Sequence, residues 1–78
     1  MAVHAYVLIQ TDVGHAADVV RAISQLDGMV QAEGVTGPYD VIARAEARSI
    51  DDLGRLVVGG LGGIDGITRT ITCPVVNF

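Results

Sequence analysis

Lysine and tryptophan are absent from this chain of 78 residues, and cysteine occurs once, at Cys73. One cysteine excludes an internal disulfide, a cysteine-ligated iron–sulfur cluster and a cysteine-rich zinc site. The only basic side chains are Arg21, Arg44, Arg48, Arg55 and Arg69, and the net charge is −4. Nucleic-acid binding leaves a basic patch, and five scattered arginines do not make one. Direct binding of DNA or RNA is therefore not expected. Aromatic residues number three, Tyr6, Tyr39 and Phe78, so stacking platforms for bases are missing as well. No apolar run approaches the roughly 20 residues of a membrane helix, and the first residues lack the basic start and long apolar stretch of a signal peptide. A reduced, cytoplasmic setting is the expectation.

What the chain has is aliphatic content, with half of its residues hydrophobic. The length fits one domain, residues 1–78. A domain this small buries only about 60% of its unfolded surface, so a partner surface is expected to complete its burial. A homodimer at least is predicted.

Periodicity divides the chain into six elements. Val3–Gln10 and Met29–Val35 read as strands, as do Asp40–Ala47 and Ile67–Cys73. Gly14–Leu26 carries Ala16, Val19, Ile23 and Leu26 at helical spacing, with Asp12 or Gly14 as its cap. Ser49 starts a second helix, with Asp52 three residues on as in a capping box and with Ile50, Leu53, Leu56, Val57 and Leu61 as its apolar stripe. Gly59-Gly60 and Gly62-Gly63 predict fraying of that helix from about residue 59. An internal echo accompanies this order: Leu26-Asp27-Gly28-Met29 returns 38 residues later as Ile64-Asp65-Gly66-Ile67. Two β-α-β halves make an α+β fold, the ferredoxin-like βαββαβ sandwich, with a four-stranded antiparallel sheet and two helices on one face.

Strand parity then sorts the side chains. Val3, Ala5, Val7, Ile9, Val30, Ala32, Val41, Ala43, Ala45, Ile67 and Ile71 are expected under the helices. Arg69 shares their parity and needs an edge or a bulge. The open face receives His4, Tyr6, Leu8, Val35, Asp40, Ile42, Arg44, Glu46, Thr68, Thr70 and Thr72, among others. Tyr6, Leu8, Val35 and Ile42 are too apolar for a fully wetted face, which suits packing against a second copy.

No catalytic or metal constellation emerges. His4 and His15 lack partners at ligand spacing, and Ser24 and Ser49 lack a triad. The glycines at 59–63 end a helix where a phosphate loop would begin one. Asp51-Asp52 reads as a charged first helical turn, and Cys73 as a small buried hydrophobe. No cofactor is implied. The chemistry that remains is a binding corner at Val35-Thr36-Gly37-Pro38-Tyr39-Asp40. An Asp carboxylate there suits an ammonium, and turn amides with the hydroxyls of Thr70 and Thr72 suit a carboxylate. A zwitterion such as an amino acid would satisfy both.

The Thr36-Gly37-Pro38-Tyr39-Asp40 turn, taken with Gly66-Ile67-Thr68-Arg69-Thr70-Ile71-Thr72, resembles the effector-binding (RAM) domain of the Lrp/AsnC regulators. The resemblance covers residues 3 to 74. It implies a dimeric α+β barrel formed sheet on sheet, and an octamer or other ring built from dimers. It also implies an amino-acid effector between dimers, held by Gly37, Pro38, Tyr39, Asp40, Thr70 and Thr72. The dimer interface would include Tyr6, Leu8, Val35 and Ile42. The chain begins directly at a strand, so it resembles a stand-alone form without the helix-turn-helix, with full-length Lrp/AsnC regulators as possible partners. The expected function is thus non-enzymatic effector binding in transcriptional regulation. A small monooxygenase-like α+β-barrel enzyme and a purely structural oligomerisation module are the alternatives.

Overall fold

Alternating patterns become strands and 3.6-period patterns become helices in a computed structural model that describes residues 2–78. Strand β1 (Val3–Thr11) leads to helix α1 (Ala16–Ile23), then β2 (Met29–Gly34) and β3 (Val41–Ala47). Helix α2 (Ile50–Arg55) continues through a wide π-type turn (Leu56–Gly60) and a 3-10 turn (Leu61–Gly63) into β4 (Ile67–Pro74). The sheet order is β2-β3-β1-β4, antiparallel throughout. This is the ferredoxin-like arrangement, with β2 and β4 as its edges.

The core lies between the sheet and the helices. Ala5, Val7 and Ile9 from β1 and Val41, Ala43 and Ala45 from β3 are buried, facing Val19 and Ile23 of α1, Leu53 of α2 and Leu61. Parity therefore holds on both central strands. It fails on both edges, and for one reason. Val30 is an extra residue between Met29, which pairs with Ala45, and Gln31, which pairs with Arg44. Met29 is thereby turned into the core, and Val30, expected there, is 53% exposed. In β4, Ile67 faces Thr11 while Arg69 faces Gln10, which leaves Thr68 as the extra residue. From Arg69 onward the faces are exchanged, because an inserted residue reverses a period of two. Thr70 and Thr72 lie opposite Ile9 and Val7, on the helix side, and Ile71 and Cys73 lie opposite Leu8 and Tyr6, on the open face. This corrects the faces expected for Thr70, Thr72 and Ile71. It also gives Arg69 its bulge and leaves Cys73 exposed, not buried.

The helices are shorter than their patterns. No side chain caps α1; its cap residue is His15, whose amide bonds the Asp12 carbonyl at 3.0 Å. The Ser49 hydroxyl does cap α2, accepting from the Asp52 amide at 3.1 Å. Asp52 does not reach back to complete a capping box; its carboxylate takes Arg55 at 2.7 Å. Ile50 was expected in the apolar stripe but is 60% exposed. Past Arg55 the helix widens instead of fraying. The wide turn and the tight one after it carry the chain on until Leu61 reaches the core, 2% exposed.

Candidate functional site: the corner at residues 35–40 and the open sheet face

The reversal between β2 and β3 rests on Gly37, whose φ of 140° lies in the region side chains avoid. Hydrogen bonds then pin the corner. The Val35 amide bonds the Asp40 carbonyl at 2.9 Å, and the Asp40 amide bonds the Ile9 carbonyl at 2.9 Å. One carboxylate oxygen of Asp40, Oδ2, accepts from the Thr11 amide at 2.8 Å. The Gln10 side-chain amide donates to the Pro38 carbonyl at 3.1 Å. The corner is thus tied to the end of β1, where the β4 bulge leaves the ladder irregular. Gln10 and Thr11 are members of this corner that spacing did not reveal. Their place depends on β1 lying beside β3, which is a fact of pairing.

Chemically, half of the Asp40 carboxylate is engaged by the protein itself. Its Oδ1 has no such bond among the described residues, and Gly37 and Pro38 are exposed while Tyr39 is half-buried. Thr70 and Thr72 do not join this group on one face. Across β1 from Asp40, Thr70 sits opposite the buried Ile9, on the helix side of the sheet. It borders a hollow of about 290 Å³ with Val57, Val58, Leu61 and Ile64. Thr72 borders a second hollow of about 290 Å³ with Ile50, Leu53, Gly54 and Val57. The structure therefore divides the six expected ligand residues between a polar corner and a helix-side groove.

The open face carries an apolar row, Ile42, Leu8 and Ile71, on three adjacent strands. Tyr6, 45% exposed, lies in the next row between Arg44 and Cys73. Val35 is exposed at the corner end of the same sheet. The Arg44 guanidinium stands 5.9 Å from the centre of the Tyr6 ring. It also approaches His4 Nδ1 at 3.3 Å, while the same nitrogen lies 3.0 Å from Glu46 Oε1. One ring nitrogen cannot donate to the carboxylate and accept from the guanidinium at once. Arg44 Nε is buried without a partner among the described residues. Among the described residues no group of three or more His, Cys, Asp or Glu side chains could hold a metal ion, and no helix is long and apolar enough to cross a membrane.

The family model for the Lrp/AsnC ligand binding domain matches residues 4–77, and this chain belongs to that family. An uncharacterized HTH-type transcriptional regulator of Pyrococcus horikoshii is 27% identical over 71 residues, which are 87% of this chain and 47% of the regulator. The chain thus spans about half the length of the curated relatives it matches. Among solved structures, a Thermus thermophilus protein superimposes with a TM-score of 0.91 at 28% identity, covering 97% of this chain and 95% of its own. The Escherichia coli AsnC structure does so with a TM-score of 0.90 at 25% identity, covering 97% of this chain and 52% of its own. The homologues with a stated role are transcriptional regulators, so this chain is a ligand-binding domain of a regulatory family.

Proposed function

We propose that this chain is a non-enzymatic effector-binding and self-associating domain that serves transcriptional regulation from the cytoplasm without itself contacting DNA. The site is the Gly37–Asp40 corner. The observation that carries this reading is the way the corner is held: bonds to Ile9, Gln10 and Thr11 fix it, while Asp40 Oδ1 and the exposed turn backbone remain for a ligand. An ammonium fits the first and a carboxylate the second, which favours an amino acid. Open faces of two copies meet through Tyr6, Leu8, Val35 and Ile42, now joined by Ile71. Thr70 and Thr72 enter as groups that a second copy's edge strand brings near the corner. The proposal extends to pairing into an octamer or other ring and to mixed assembly with full-length Lrp/AsnC regulators. The layer between sheet and helices supports the non-enzymatic reading, since its buried side chains among the described residues are all apolar.

Isothermal titration with each common amino acid, together with solution mass, tests this. Saturable heat from at least one amino acid and a mass of a dimer or more are expected, with the heat lost in Asp40→Ala. Silence from all of them, or a monomer at working concentration, would overturn it. A second reading, a purely structural oligomerisation module, is favoured by the Asp40–Thr11 bond alone. On that reading Asp40→Ala lowers stability and leaves no binding to lose.

A further inference from the structure

Most of the arginines have their charge already engaged. Arg21 pairs with Asp18, Arg55 pairs with Asp52 at 2.7 Å, and Arg44 stands over the Tyr6 ring. Arg69 is exposed and forms no ion pair among the described residues. Arg48 is also unpaired, but it follows β3 at the opposite end of the sheet from the corner, where Ala47 pairs with Val3. The bulge in β4 decides where Arg69 goes. With Thr68 left out of the ladder, Arg69 pairs with Gln10 and shares the open face with Leu8 and Ile71. The Gln10 side chain reaches the other way, donating to the Pro38 carbonyl at 3.1 Å. Gln10 therefore lies between the corner and the guanidinium. Arg69 stands on an edge strand and also borders the helix-side hollow, but no partner commits its charge to that side.

The spacing suits a third charged group on the ligand. Asp40 adjoins β1 through its amide bond to the Ile9 carbonyl, and Arg69 adjoins β1 on the other side. One strand between them puts their backbones about 10 Å apart. The arginine side chain and an acidic side chain of the ligand each span part of that gap. A planar guanidinium also matches a carboxylate with two parallel hydrogen bonds. Asp12 and Asp65 are exposed on the loops nearby, and neither pairs with Arg69. We propose that Arg69 sets the specificity of the corner and that the effector is an acidic amino acid. Its ammonium meets Asp40 Oδ1, its α-carboxylate the turn amides, and its side-chain carboxylate Arg69. This inference rests on the effector reading and narrows it to one substrate class.

Isothermal titration at low salt tests it by comparing each acid with its own amide, L-glutamate with L-glutamine and L-aspartate with L-asparagine. At least one acid is expected to bind about tenfold or more tightly than its amide, which has the same shape without the charge. Arg69→Gln is expected to bring that ratio close to one, and Arg69→Lys to keep part of it. Both variants should melt with the wild type, since Arg69 is exposed. Neutral amino acids that bind as well as the acids, or a preference that survives Arg69→Gln, overturn this proposal and leave the effector reading standing. Silence from every amino acid overturns both.

Discussion

The first half of the chain, β1-α1-β2, and the second, β3-α2-β4, end alike and differ just before they end. Each closes on Asp-Gly with the glycine left-handed, Gly28 at φ 95° and Gly66 at φ 96°. Each then enters an edge strand through one extra residue, Val30 or Thr68. Between these shared features α1 is a regular helix with Val19 and Ile23 wholly buried, whereas α2 opens into a wide turn and leaves a groove along β4. The glycines explain part of the contrast. Gly28 and Gly60 sit against Leu56 and Leu26, so each half uses a glycine to admit a leucine that borders the other. Gly54, Gly59, Gly62 and Gly63 have no such neighbour. The first half packs its helix fully against the sheet, and the second carries an unfilled margin.

The largest test of that contrast is in the core. Ile23→Ala is expected to cost about 3–4 kcal/mol in urea unfolding, and Leu61→Ala about 2–3, because the groove lets the second site collapse. Equal costs would show that the margin is as rigid as the first half. The closing glycines come next. Gly28→Ala combines a left-handed backbone with a Cβ 2.8 Å from Leu56 Cδ2 and 3.0 Å from the Glu46 carbonyl, for an expected loss of about 2–3 kcal/mol. Gly66→Ala meets the His15 side chain, nearest at its Cβ at 3.1 Å, and lacks the carbonyl contact that Gly28 has, so it should lose about 1–2 kcal/mol by the same measurement. Caps separate the halves less. Ser49→Ala is expected to cost about 1 kcal/mol, while His15→Ala, which removes no cap bond, should stay within about 0.5 kcal/mol. Smallest is Gly59→Ala, expected to raise stability by up to about 0.5–1 kcal/mol, since open space surrounds its Cβ position and a helical glycine is costly. A loss there would mean that the wide turn needs a glycine's backbone freedom.

Element order and the core of the central strands were readable in advance, as were the Gly28 turn and the Ser49 cap, because each depends on residues within a few positions of one another. The edge strands were not. Thr68 and Thr70 alternate with Ile67 and Arg69 as any strand does, and nothing local says that one residue will be left out of the ladder. Arg69 at a core parity was the single hint of a bulge in β4. Val30 offered none, since Met29 and Val30 suit a core equally well. The corner was legible as a turn bearing an acid. That Asp40 would give one oxygen to Thr11 could not be read from a residue 29 positions away.

Composition and period alone determined that this protein is a small βαββαβ domain with little cationic surface and a Gly-Pro corner bearing Tyr39 and Asp40. They suffice because hydrophobic burial and turn geometry act over short stretches of chain. Which face each edge-strand side chain takes, how much of Asp40 is left for a ligand, and whether α2 fills the space beside β4 were decided only by the tertiary structure. Those outcomes depend on register between distant strands, and a shift of one residue exchanges inside for outside without altering any local pattern.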